Sequence, residues 1–140
     1  MFGFRKRLEE KRAKNKAISD SQHWKNHTQM RQCLQSMRGS CTVAPIDLHE
    51  AVITVVNIAQ SEDTWTTLER LDIPADFLGS TIYIVWDNEK LPVLKAPWAL
   101  AEENVTAVTA VAHKTFLVSE TMDRILYFDG DGKIRLYDVR

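Results

Sequence analysis

The sequence predicts an α+β fold, and three observations carry that expectation. Residues 81–95 and 115–139 alternate like strands between Asp- and Gly-rich turns, other segments space their apolar residues at helical intervals, and 140 residues suffice for one ordinary core. The expected architecture is a set of N-terminal basic helices followed by a compact domain. In that domain a hairpin over 81–95 and a C-terminal meander over 115–139 pack as antiparallel strands against two or three helices. Residues 1–40 read as a basic helical arm and 41–140 as an acidic α+β domain, together one folding unit. Apolar and charged fractions of 44% and 26% are those of a globular chain and exclude a fibrous or membrane-spanning class.

The elements follow in chain order. Phe4 and Leu8 lie one helical turn apart, while Arg5, Lys6, Arg7, Lys11, Arg12, Lys14 and Lys16 occupy most remaining positions. Gly3 and Asn15 weaken that helix at its ends, so it needs something to receive Phe2 and Phe4. Ser19 and Gln22 form a capping-box pattern for a second helix with the stripe Trp24, His27, Met30, Leu34 and Met37. Gly39 stops it, and 39–45 reads as a connection. In "IDLHEAVITVVNIAQ", β-branched side chains favour strand, yet Leu48, Ala51, Val52, Val55 and Ala59 share one helical face behind an Asp47/Glu50 cap. Helix is the reading adopted.

Ser61, with Glu62 and Asp63 behind it, is expected to cap a helix through Trp65, Leu68 and Leu71 that closes at Pro74. In "STIYIVWDNEKLPVLKAP", Ile82, Ile84 and Trp86 point one way and Thr81, Tyr83 and Val85 the other. Asp87 to Lys90 supplies the turn, and Pro92 places the returning strand at a sheet edge. Pro97 opens a core-facing helix through Trp98, Ala101, Val105, Val108 and Ala112, although its Thr and Val content leaves strand open. Runs at 115–119, 124–129 and 133–139 complete the meander.

The net charge of −1 conceals a division. Residues 1–40 hold ten Lys/Arg against three Asp/Glu, or +7, and residues 41–140 hold eight against sixteen, or −8. Such a split governs association more than fold.

Most chemistries find no support. The run from Ala51 to Ala59, broken by Thr54 and Asn57, falls far short of the roughly 20 residues of a membrane helix. The opening residues lack the features of a secretory signal, so a cytoplasmic protein with reduced Cys33 and Cys41 is expected. His23 and His27 share a helical face and are the only candidate metal pair, with Cys33 a conceivable third ligand. Trp24 stands where a zinc protease needs Glu, and a hydrogen-bonded His27 at the edge of packing is the simpler reading.

"DGDGKI" suggests a calcium loop until the register is examined: Tyr127 falls at the first ligand position and Asp138 at the twelfth, so a tight hairpin turn is expected. No GxSxG elbow or phosphate-binding glycine loop occurs, and Cys33 faces the core. The adjacent carboxylates read as solvated turns and helix starts. No cofactor is expected.

A binding surface remains. Asp87, Glu89, Glu102, Glu103, Asp129 and Asp131, with Tyr83 and Tyr127 beside acidic turns, form a candidate acidic face for a basic protein partner. The arm residues Phe2, Phe4, Arg5, Lys6, Arg7, Leu8, Lys11 and Arg12 admit three readings: a nucleic acid held by its phosphates, an anionic membrane surface, or a solvated helix packed back on the acidic body. In size, acidic body and absence of catalytic motifs the chain is similar to bacterial immunity proteins that neutralise nuclease toxins. That resemblance implies a non-enzymatic inhibitor or adaptor and transfers no residue roles. The alternatives are an accessory protein acting on a membrane or nucleic acid through residues 1–18, and a small enzyme whose site is assembled from residues distant in sequence.

Overall fold

Neither parity of "TIYIVW" carries a charge, so a strand made from it has two faces to hide. The fold hides both. The computed structural model describes residues 27–37, 40–58, 65–130 and 132–138. Along them run α1 (Thr28–Ser36), β1 (Thr42–Val43), α2 (His49–Ile58), β2 (Thr81–Trp86), β3 (Leu94–Pro97), α3 (Trp98–Glu103), α4 (Val105–Thr109), β4 (Thr115–Ser119), β5 (Arg124–Phe128) and β6 (Ile134–Asp138). The strands form one sheet in the order β1-β3-β2-β4-β5-β6, antiparallel throughout. The expected α+β class, hairpin and C-terminal meander are all present.

One face of the sheet packs with α2: Tyr83, Val85, Phe116, Val118, Ile125 and Tyr127 meet Leu48, Ala51, Val52 and Val55. The other face packs with α1, α3 and α4: Ile82, Ile84, Trp86, Leu94, Leu117 and Leu126 meet Met30, Cys33, Met37, Trp98, Ala101 and Val108. Burying one such side chain contributes about 1.5–3 kcal/mol, so each layer is stabilised chiefly by apolar contact. Trp86 is fully buried and its indole N–H donates to Val108 O at 2.9 Å, which fastens α4 to β2 through the core. Three described helices of the 41–140 domain, α2, α3 and α4, pack on the sheet as expected, and α1 from the N-terminal basic segment joins them.

Several expectations change on inspection of the elements. The helical reading of 46–60 holds from His49 to Ile58, and Asp47 Oδ1 accepts the His49 N–H at 2.9 Å at its start. The helix expected from Ser61 to Pro74 is absent from the described part of that segment. Thr66 instead pairs with Ile134 as an isolated bridge, and residues 67–71 form a turn closed by Leu71 N–H to Thr67 O at 3.0 Å. The cause is tertiary: Trp65 packs against Tyr127 and Thr66 extends the sheet beyond β6.

Pro92 precedes β3 rather than lying in it, and β3 is not an edge strand. Thr42 and Val43, read as connection, form β1 against Lys95 and Leu94. Pro97 is the extended N-cap of α3, and the long helix expected after it is two short ones broken at Asn104 (φ −110°, ψ 25°). Asn104 turns its side-chain amide onto Leu100 O at 2.9 Å, and Thr109 Oγ1 bonds back to Val105 O at 2.8 Å. Such side-chain competition for main-chain groups weakens helix continuity. Among the described residues no helix is long and apolar enough to cross a membrane.

Candidate functional site

The "DGDGKI" turn is where the sheet's geometry first produces a site. Asp129 N–H donates to Lys133 O and Lys133 N–H donates to Asp129 Oδ1, both at 3.1 Å, which closes the β5–β6 hairpin. Gly130 and Gly132 take φ of +87° and +84° there, conformations that side-chain-bearing residues rarely adopt. The hairpin expected in place of a calcium loop is therefore what forms. Its register sets Tyr127 opposite Arg135. Antiparallel pairing extends the same row through Phe116 to Val85 on the face that α2 covers.

Along this row the rings make a continuous cluster. Tyr127 stacks on Phe116 at 5.0 Å between centroids and on Tyr137 at 6.4 Å, and Trp65 meets it tilted at 5.9 Å. The Arg135 guanidinium lies 3.5 Å over the Trp65 ring, and its Nη1 donates to Tyr137 Oη at 3.4 Å. Stacked Arg and Trp lose little side-chain freedom on binding a partner, and Trp, Tyr and Arg are the residues enriched at interface hot spots.

Where α2 meets the end of this row, a cleft of about 110 Å³ opens, lined by Ile53, Val56, Asp87, Lys114, Phe116 and Tyr127. Asp87 follows β2 and exchanges two bonds with Lys114: its N–H donates to Lys114 O at 3.2 Å, and Lys114 N–H donates to its Oδ1 at 3.3 Å. Burial pushes the Tyr127 phenol above its ordinary pKa, and the negative charges of Asp129 and Asp87 push it the same way, against a smaller lowering by the Arg135 cation. Both carboxylates thus act on one hydroxyl.

The expected face divides. Asp87, Tyr127 and Asp129 share this end of the sheet, with Glu89 exposed in the β2–β3 connection nearby in sequence. Asp131 lies outside the described residues. Glu102 and Glu103 are exposed on α3, whose buried residues pack on the opposite face of the sheet, so the structure does not bring them to the cleft. Tyr83 is nearly buried beneath Lys95, whose Nζ sits 5.8 Å from the ring centroid and 3.6 Å from Glu120. Phe2, Phe4, Arg5, Lys6, Arg7, Leu8, Lys11, Arg12 and His23 lie outside the described residues. His27 is the N-cap of α1, its Nδ1 accepting the Met30 N–H at 3.2 Å.

Trp65, Arg135, Lys114 and Ile53 were not singled out as site residues in the sequence. Arg135 was within reach: it and Tyr127 are equidistant from Asp131, the centre of the expected turn, and so must pair. Trp65 was assigned to a helix face and nothing local marked it.

A cleft of this size is below the roughly 300 Å³ at which small-molecule pockets begin, whereas its aromatic and charged rim has the composition of a protein interface. No curated protein matches the chain. The family model for the CdiI immunity protein, EcoliA0-like, matches residues 18–137, which takes in every helix and strand described above apart from the last residue of β6. The chain belongs to the CdiI immunity protein family, EcoliA0-like, and its function is of the toxin-neutralising, protein-binding kind.

Proposed function

We propose that this immunity protein holds its toxin without catalysing any reaction, at the end of the sheet where Asp87, Tyr127 and Asp129 gather beside Trp65 and Arg135. The observation that carries this reading is the convergence of two carboxylates with a partly exposed Trp65–Arg135 pair packed against Tyr127. The carboxylates favour a basic patch on the toxin, steering the encounter, and the aromatic groups slow dissociation by excluding water. The protein then acts in the cytoplasm, where an incoming toxin would be met. The basic arm reads as an accessory to this function rather than its seat.

The test is protection. Expressed in cells that receive the toxin, the full chain restores growth. Asp87→Asn combined with Asp129→Asn retains the oxygens that accept from Lys114 and Lys133, so the fold is kept while two charges are lost. The pair should slow association and flatten its salt dependence. Protection unaffected by that pair, but abolished by Glu102→Gln with Glu103→Gln, would move the interface to α3 and sink the proposal.

A further inference from the structure

We infer that the cleft between α2 and the sheet receives one long basic side chain of the toxin, its aliphatic stem lying against Ile53, Val56 and Phe116 and its cation meeting Asp87 and the Tyr127 hydroxyl. This rests on the docking surface proposed above and names what that surface takes.

Size is the first argument. A volume of about 110 Å³, well under the roughly 300 Å³ at which pockets for whole small molecules begin, suits a single side chain. Composition is the second. Ile53 is 39% exposed on α2, while Ala51, Val52 and Val55 are turned into the core. Its exposed surface continues the apolar walls made by Val56 and Phe116. Lysine and arginine are the residues that lay an alkyl stem on such a surface while keeping a charged head in water.

The sign of charge is the third. Asp87 is exposed at the rim, and among the described residues its carboxylate accepts at one oxygen, from the Lys114 N–H. Asp129 adds a second negative charge felt at the Tyr127 hydroxyl. The opposing cations are Lys114 at the cleft, which is exposed at the end of a flexible chain and can turn outward, and Arg135, which acts on the Tyr127 hydroxyl but is engaged over the Trp65 ring. An anionic side chain entering the cleft would pair with Lys114 only by approaching two carboxylates.

The test uses the full chain and n-butylguanidinium as the probe, followed by NMR, with valerate as the anion of similar length. The expected result is saturable shifts of the Ile53 and Val56 methyl groups and the Phe116 ring with the cation, and none with valerate. Asp87→Asn, which keeps the acceptor for Lys114 N–H, should weaken the cation about fivefold, the upper range for one exposed ion pair. Absence of saturable shifts, or equal binding of valerate, overturns the assignment. If that happens while Asp87→Asn with Asp129→Asn still costs protection, the docking surface survives and the side-chain assignment alone falls. If the cation binds yet protection ignores both changes, the cleft is not where the toxin docks and both readings fail.

Discussion

Replacing Gly130 by alanine tests how the acidic end of the sheet is assembled. Gly130 lies at φ +87°, and a Cβ built there would stand 2.4 Å from His113 O and 2.9 Å from His113 Nδ1. Gly132, in the same turn at φ +84°, has nothing within 4 Å of its Cβ position. Alanine at either site carries the left-handed penalty of about 1–2 kcal/mol, offset by about 0.4–1 kcal/mol because alanine restricts the unfolded chain. Both contributions cancel in the difference between the two variants. What remains is the collision: carbon normally approaches a carbonyl oxygen no closer than about 3.3 Å, so main chain must move by nearly an ångström, at the about 1–3 kcal/mol typical of overpacking.

Gly130→Ala should therefore unfold about 2 kcal/mol more easily than Gly132→Ala in urea, with unchanged denaturant slope. The same contact joins the Lys114 side of the cleft to the turn that carries Asp129, so Gly130→Ala should also weaken toxin capture, whereas Gly132→Ala should do so much less. Equal urea midpoints for the two variants would refute the claim that close approach to His113, rather than backbone conformation alone, requires glycine at this position.

Trp86→Phe removes the donor to Val108 O and leaves a void where the larger ring sat, and should destabilise by about 3 kcal/mol in urea unfolding; a loss under about 1 kcal/mol would mean that α4 is not held through this bond. Trp65→Ala gives up its contacts with Arg135 and Tyr127 at a stability cost of about 1 kcal/mol, and calorimetry with the toxin should show at least about a thirtyfold loss of affinity; a change under about threefold would remove Trp65 from the interface. The Cys33 thiol is pushed up to about 12 by burial and then by the neighbouring Cys41, and Cys41 is pushed up to about 11 by burial, both from 9.0. With folded values raised, this stability is complete below the unfolded thiol pKa and is lost as pH climbs through the folded ones. The urea midpoint should therefore be level below about pH 9 and decline above it, and a midpoint that rose there would contradict the burial of both thiols.

The elements readable from local pattern are those whose turns are also local. The meander was legible because Asp- and Gly-rich turns separate its runs, and the helical face of Leu48, Ala51, Val52 and Val55 outweighed the β-branched side chains of α2. The segment at 65–71 was misread because Trp65 and Leu68 have helical spacing, while the partners of Trp65 and Thr66, Tyr127 and Ile134, lie more than sixty positions away. The break at Asn104 was hidden for a different reason: the apolar spacing runs through it, and the interruption shows in its backbone angles and in the bond from its amide to Leu100 O. Of the candidate site, Asp87, Tyr127 and Asp129 were named from acidic turns and aromatic composition. Ile53 and Lys114 escaped notice because a cleft between a helix and a sheet has no signature in either segment alone.

By itself the sequence determined the class of fold, the position of its last hairpin and the absence of recognised catalytic motifs, because each depends on residues a few positions apart. The tertiary structure alone decided which helices cover each sheet face, that Glu102 and Glu103 are separated from Asp87, and that Arg135 rests on Trp65. Those outcomes depend on which distant apolar surfaces exclude water together, and that choice is made by the whole chain at once.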